Sequence, residues 1–432
     1  LKLSPDSGLI DTAFAYFAQI ITILAGVAVQ SCLAWFLGPS DRGSYAVCLV
    51  FGYIVGILSC FGIDGALQYY TASKKIDLSQ IMSMTILLSL FSSILGLSIG
   101  VGLLNLDLEF FQKASTNSFL ITLLYIPVSI LDAVFTKLLI GLKEFKSISI
   151  FAFVKGSLNF IGLIILVYFL SLGIDGALYA IIIAWAITVA VQFIYMFQKY
   201  HFHLGVPLKR NILEILHYGR RFYFTRLGNI MNSQIGTVIL AFFLTSAEIG
   251  YYAVATKLVA YVIIIPDGLG NALLPRVAAS ADGKIDLIMR CSRLSGSICG
   301  MILILLLVFI KPLIVILFSS SFLPVIPIVW ILIPGILIRC ITKILISYFN
   351  GINRPEIPSL ATITGVTANL TSLLLFLPFM GLQGGAVAMS CGYLVNASVL
   401  LSRFSKFTKI SFFSFWGLKK SDLAFLKKTI GL

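Results

Sequence analysis

The sequence predicts an all-α polytopic membrane protein: twelve transmembrane helices in two six-helix lobes, the second lobe a parallel repeat of the first. Three observations predict it. Hydrophobic residues make up 59% of the 432 residues and charged residues 11%, with a mean hydropathy of +1.03, whereas soluble domains hold about 45–50% and about 25%. The apolar residues gather in closely spaced runs of about 20, and lipid forces every backbone polar group in such a run to be paired internally, which selects helices. The turn FLGPSDRGSYAV (36–47) returns as FLTSAEIGYYAV (243–254), each time between two apolar runs.

Glycine, proline and charge punctuate the runs into twelve spans. The first six cover about 12–37, 44–70, 80–104, 118–140, 148–170 and 174–198. The second six cover about 221–244, 249–275, 287–310, 325–349, 359–380 and 384–402. Lys311-Pro312 and Pro324 interrupt an otherwise apolar stretch, so a break is expected across 311–324. Residues 1–11 are short, polar and followed at once by a full-length apolar run, which is not the pattern of a cleavable signal. The seven cysteines fall almost entirely inside apolar runs and read as core-filling residues, not as a disulfide set or a metal site.

Charge sets orientation. With the N-terminus in the cytoplasm, 22 basic residues lie on the inner side, and Arg42, Lys113 and Lys311 lie outside. The positive-inside rule therefore places both termini in the cytoplasm. The net charge of +14 is then largely topological and calls for no nucleic acid.

Six helices per lobe is an even number, so the lobes share one orientation and are related by an axis along the membrane normal. Three further matches keep nearly the same offset: Gly141 with Gly351, Asn159 with Asn369, and LGIDGALYA (172–180) with MGLQGGAVA (380–388). The expected organisation is an N-lobe (1–198), a basic cytoplasmic linker (199–220), a C-lobe (221–402) and a basic amphipathic tail (403–432). The tail reads as an interfacial segment at an anionic inner leaflet, with a disordered basic tail as the alternative.

LGPSDRGSYAV after the first helix, FGIDGALQYY ending the second, and IGYYAVATKL with IPDGLGNALLPRVA across the eighth resemble the polysaccharide-exporter branch of the multidrug/oligosaccharidyl-lipid/polysaccharide (MOP) superfamily. Within it the chain is most like the O-antigen and capsule repeat-unit flippases, from about residue 8 to about 405. That resemblance implies a V-shaped protein whose central cavity is lined largely by helices 1, 2, 7 and 8. It implies alternating access, and transport of an undecaprenyl-pyrophosphate-linked oligosaccharide from the inner to the outer leaflet of the cytoplasmic (inner) membrane. A proton or sodium gradient would drive it, with no cofactor. The implied partners are that substrate, membrane lipids and other polysaccharide assembly proteins. The implied protein is a transporter, not an enzyme.

Inside the spans the chain keeps Lys137, Lys155, Arg226, Lys257, Arg339 and Lys343, against the acids Asp132 and Asp267. An ionised side chain near mid-bilayer costs at least about 2.5–3.5 kcal/mol, and six cations cannot all pair with two anions. The surplus needs water or an anionic ligand, and a pyrophosphate suits both Arg, as a bidentate donor, and Lys, as a point charge. Lys257 is the leading candidate, ahead of the deeper Arg339 and Lys155. Arg226 and Lys343 divide evenly between cavity and snorkelling to headgroups, and Lys137 leans to snorkelling. Asp132 precedes Lys137 by five residues, poor spacing for a pair, so another partner is expected. Asp267, after Pro266, is read first as a salt-bridge partner, then as a proton-coupling site or helix-kink acceptor. Asp64 is either a hydrated cap or a functional acid. Gln19 and Gln30 share a face of the first helix, and Asn229 and Ser233 follow Arg226 on the seventh with Asn232 beside them. These neutral groups suit either sugar hydroxyls or ordinary helix packing.

Two other function classes compete. A multidrug or small-molecule antiporter of the same superfamily should carry net acid in its cavity. A membrane-embedded polysaccharide polymerase or ligase should expose a sizeable external loop, and the longest here is NLDLEFFQKASTN (105–117). There is no Walker-type loop, so ATP is not the direct energy source. His201-x-His203 without further ligands reads as solvated loop.

Overall fold

A computed structural model of the chain describes residues 5–106, 108–278, 285–415 and 422; the side chains of 5–23, of most of 221–233 and 271–278, and of 412 and 413 lie outside the description. Its helices are α1 (Pro5–Cys60), α2 (Ile63–Ser73), α3 (Leu78–Leu104), α4 (Thr116–Gly141), α5 (Phe145–Leu163), α6 (Gly173–Tyr200), α7 (Lys209–Phe243), α8 (Ser246–Ala278), α9 (Ile285–Phe318), α10 (Val325–Gly351), α11 (Glu356–Met380) and α12 (Leu382–Thr408). Short 3-10 or π turns lie between some of them. Among the described residues, ten helices are long and apolar enough to cross a membrane. Leu24–Cys60 is one continuous stretch that carries the first two expected spans, and in α7, where most side chains of 221–233 lie outside the description, the described apolar segment is Gln234–Phe243. The chain is thus an all-α, multi-pass membrane protein.

Boundaries shift for local reasons. The first two spans join at Gly38, whose φ of 69° kinks α1. The second span then breaks at Phe61-Gly62, both at positive φ, and resumes as α2. The break expected across 311–324 falls in the second half of that stretch. α9 runs through Pro312 to Phe318, and the chain turns at Ser319 (φ 76°), since a proline in an apolar helix is tolerated when neighbouring groups re-satisfy the freed carbonyl. α7 begins twelve residues before its apolar span, at Lys209, inside the segment read as linker. Ile215 and Gly219 are buried and Ile212 precedes them on the same face, a helical spacing of three and four.

The chain packs as two compact units, Leu1–Gly250 and Tyr251–Leu432. In the first, Phe51, Phe111 and Phe119 form an edge-to-face cluster with centroids 5.2–5.7 Å apart. Asp175 at the start of α6 accepts hydrogen bonds from Asn117 (2.7 Å) and Ser118 (2.6 Å) of α4. The two repeated turns meet within this unit. A Cβ on Gly43 would lie 1.7 Å from the Ser246 carbonyl oxygen, and one on Gly250 would lie 2.1 Å from that of Pro39. Ser44 and Ser246 both donate to the Lys113 carbonyl. Thr245 and Glu248 form a capping box at the start of α8, as their spacing in TSAE dictates.

The second unit is built on α9–α12. Tyr348, Phe349, Phe404 and Phe415 pack edge to face in its core. The described part of the tail is held here: Arg293, 4% exposed, donates two hydrogen bonds of 2.7 Å to the fully buried Asp422 and one of 3.3 Å to the Ser414 carbonyl.

The internal repeat survives as backbone geometry. Gly173 and Gly381, the second residues of the matched segments at the starts of α6 and α12, have φ of 54° and 53°. Lys143 and Asn353, two residues after Gly141 and Gly351, have φ of 63° and 58°. Left-handed backbone at equivalent places in both halves is the signature of a shared turn.

Close approach of the repeated turns gives a direct expectation. Gly43→Ala or Gly250→Ala forces two backbones apart and lowers stability in detergent by about 1–3 kcal/mol or more. Gly102→Ala in α3, where an added methyl meets nothing within 4 Å, leaves the melting temperature unchanged or slightly raised.

Candidate functional site

Among the described residues, each unit carries one ion pair that joins one membrane-spanning helix to another. In the first unit, Lys155 of α5 donates to Asp132 of α4 at 2.8 Å and sits 4.2 Å from the ring centroid of Trp185 on α6. The carboxylate supplies the counter-charge and the indole face adds a cation–π contact. Asp132 is 6% exposed, and its second oxygen, Oδ1, has no hydrogen-bond partner among the described residues. The oxygens of Asn159, one turn beyond Lys155 on α5, and of Gln192 on α6 are buried and without partners in the same way. Three buried polar oxygens without partners among the described residues thus lie along α4–α6.

In the second unit, Lys343 of α10 meets Asp267 of α8 at 2.8 Å. One turn further along both helices, a Cβ on Gly270 would lie 2.6 Å from Ser347 Oγ, so the missing side chain lets the helices approach closely enough for the pair to form. Arg339 lies one turn before Lys343 on α10, half-buried, with its guanidinium 4.4 Å from the Tyr393 ring centroid. It has no carboxylate partner among the described residues. Lys257 is exposed on α8 and Lys137 is half-buried on α4.

The remaining candidates scatter. Asp64 is 2% exposed in the first turn of α2, where the helix dipole favours an acid, and Cys60 Sγ lies 3.9 Å from its Oδ1. Gln30 accepts a 2.6 Å hydrogen bond from Arg42, which is 3% exposed. The side chains of Gln19, Arg226, Asn229, Asn232 and Ser233 lie outside the described residues.

Sequence reasoning passed over one dense cluster. Glu144, between α4 and α5, accepts hydrogen bonds from Lys199 (2.5 Å), Tyr200 (2.6 Å), Tyr195 (3.0 Å) and Ser147 (3.2 Å). Burial pushes its pKa up, but the hydrogen bonds from Lys199, Tyr200 and Tyr195 outweigh that and hold it at about 2. The i, i+4 pair Tyr195–Lys199 was the available signal; nothing local pointed it at residue 144.

Removing one partner of a buried pair strands the other charge. Lys155→Met alone is expected to cost about 3–5 kcal/mol, and adding Asp132→Asn to recover most of it, measured by thermal unfolding in detergent. Glu144 is depressed below the ordinary value of about 4.3, so its contribution is complete above that pH and is lost as pH falls toward 2. Wild type should therefore lose stability as pH falls from about 4.3 to about 2, and Glu144→Gln should remove that part of the slope.

Comparison with known proteins places this geometry. A probable low-salt glycan biosynthesis flippase, Agl15, of Haloferax volcanii is 22% identical over 396 residues, covering 87% of this chain and 79% of the relative. Among solved structures, an inward-facing MATE-family multidrug resistance transporter of the MOP superfamily superposes with a TM-score of 0.70 at 17% identity, over 92% of this chain and 99% of that one. The lipid II flippase MurJ, in an inward closed conformation, gives 0.70 at 15% identity, over 93% and 88%. Residues 32–327 match the polysaccharide biosynthesis protein family; the chain belongs to that family.

Proposed function

We propose that the chain is a flippase that carries an isoprenoid pyrophosphate-linked oligosaccharide, of the undecaprenyl type, from the inner to the outer leaflet of the cytoplasmic membrane. Both termini are cytoplasmic in this reading, and the glycan serves surface polysaccharide such as O-antigen or capsule. The observation that carries it is Arg339: a guanidinium inside the second unit, laid on Tyr393, with no carboxylate partner among the described residues. Such a cation is stabilised by a pyrophosphate, which accepts bidentate hydrogen bonds. Membership of the polysaccharide biosynthesis family and the likeness to a glycan flippase support the same substrate class.

Lys257 and Arg339 are assigned to the pyrophosphate. Asp132 and Asp267 are assigned to coupling, because protonating either one cancels the attraction that holds its lysine and so links a proton gradient to helix movement. The likeness to a multidrug transporter keeps drug export as the second reading. Cationic drugs, however, call for unpaired acid, and both described intramembrane acids of the two pairs face a lysine.

Arg339→Gln and Lys257→Gln are each expected to stop the appearance of surface glycan in cells that depend on this protein, with membrane levels and melting temperature preserved. Normal surface glycan in both variants would remove the cationic groups from the mechanism.

A further inference from the structure

The segment joining α6 to α7 has a fixed backbone and an outward apolar face. Three of its amides donate to side chains of α3: His203 to Ser79 Oγ (3.3 Å), Gly205 to Ser83 Oγ (3.0 Å) and Leu208 to Gln80 Oε1 (2.9 Å). Phe202 is 3% exposed and packs on Phe193 and Phe197. Pinned in this way, the strap and the first turns of α7 turn outward Leu204 (53% exposed), Val206 (91%), Leu208 (60%) and Leu213 (58%). An ordered segment that holds large apolar side chains away from its own protein is adapted to an apolar surrounding.

Its charges say which surrounding. Lys209, Arg210 and Arg220 are exposed on the same segment, and Lys74 and Lys75 lie exposed at the end of α2. That end is tied to α7 by Tyr69 stacked on Tyr218 at 4.4 Å, with Lys75 donating to the Tyr69 hydroxyl. The nearby acids are engaged: Glu214 with Arg210, Asp77 with the Ser79 amide, and Glu144 with Lys199. Apolar side chains bordered by surplus cations and tyrosines, at the end of membrane-spanning helices, match an interfacial anchor.

We propose that residues 201–216 form an interfacial strap that binds an anionic phospholipid leaflet. Leu204, Val206, Leu208 and Leu213 enter the acyl region, and Lys74, Lys75, Lys209, Arg210 and Arg220 hold the headgroup phosphates. The assignment does not depend on what the protein transports.

The test uses the full chain in nanodiscs of phosphatidylglycerol and phosphatidylcholine in equal parts. A nitroxide on Val206→Cys, with the signal of identically treated wild type subtracted, should be more accessible to oxygen than to a water-soluble nickel chelate. Greater access by the chelate would put the strap in water, and protection from both reagents would mean that protein covers it; either result overturns the proposal. By native mass spectrometry, wild type should retain phosphatidylglycerol over phosphatidylcholine. Removing basic charge with Lys209→Gln/Arg210→Gln should reduce that preference by about fivefold or more. Equal retention of the two lipids by wild type would overturn the anionic specificity.

Discussion

A charge inside a bilayer must be answered by something, and the arrangement of this protein's helices follows from how that is done. Lys155 is answered by a carboxylate from α4 and an indole from α6, so three helices are bound to one ammonium. Lys343 is answered by Asp267, which requires α8 and α10 to lie close together, and Gly270 against Ser347 makes room for it. Arg339 has a tyrosine face and no acid among the described residues. Two of the three sites are closed in charge, and the third is open. In the proposed function, the anionic ligand binds at the third.

The repeat and the charges obey different rules. Turn geometry is duplicated, as the paired left-handed residues Gly173 with Gly381 and Lys143 with Asn353 show. The ion pairs are not: one joins α4 to α5, and the other joins α8 to α10. A duplicated scaffold supplies the same helix ends twice, whereas side chains that bind or couple need differ in the two copies. The glycines of the repeated turn, Gly43 and Gly250, contact each other's strands of backbone directly, so this turn is retained twice because each copy is the packing partner of the other.

Helix number, the turn repeat and the buried charges were legible because they rest on composition and spacing, which are local. Partners were not. That Asp132 would look past Lys137 followed from i, i+5 geometry, but Lys155 as the partner, and Trp185 beneath it, depend on three helices meeting in space. The Glu144 cluster and the Arg293–Asp422 pair join residues more than 50 and more than 100 positions apart, and no periodicity encodes that. α7 started earlier than expected because its first turns are amphipathic and basic, a pattern that hydropathy reads as loop. The break expected across 311–324 falls after Phe318 and not at Pro312, because proline is a reliable stop in water and a weaker one within lipid.

The most direct measurement is leaflet exchange in proteoliposomes containing the purified full chain and an isoprenoid pyrophosphate oligosaccharide with a fluorescent sugar. Exposure of the sugar to a membrane-impermeant quencher is followed over time under an imposed proton gradient. The account predicts exchange well above protein-free vesicles, accelerated by the gradient. Exchange no faster than in protein-free vesicles, from protein that unfolds cooperatively and exports a cationic dye, would contradict it.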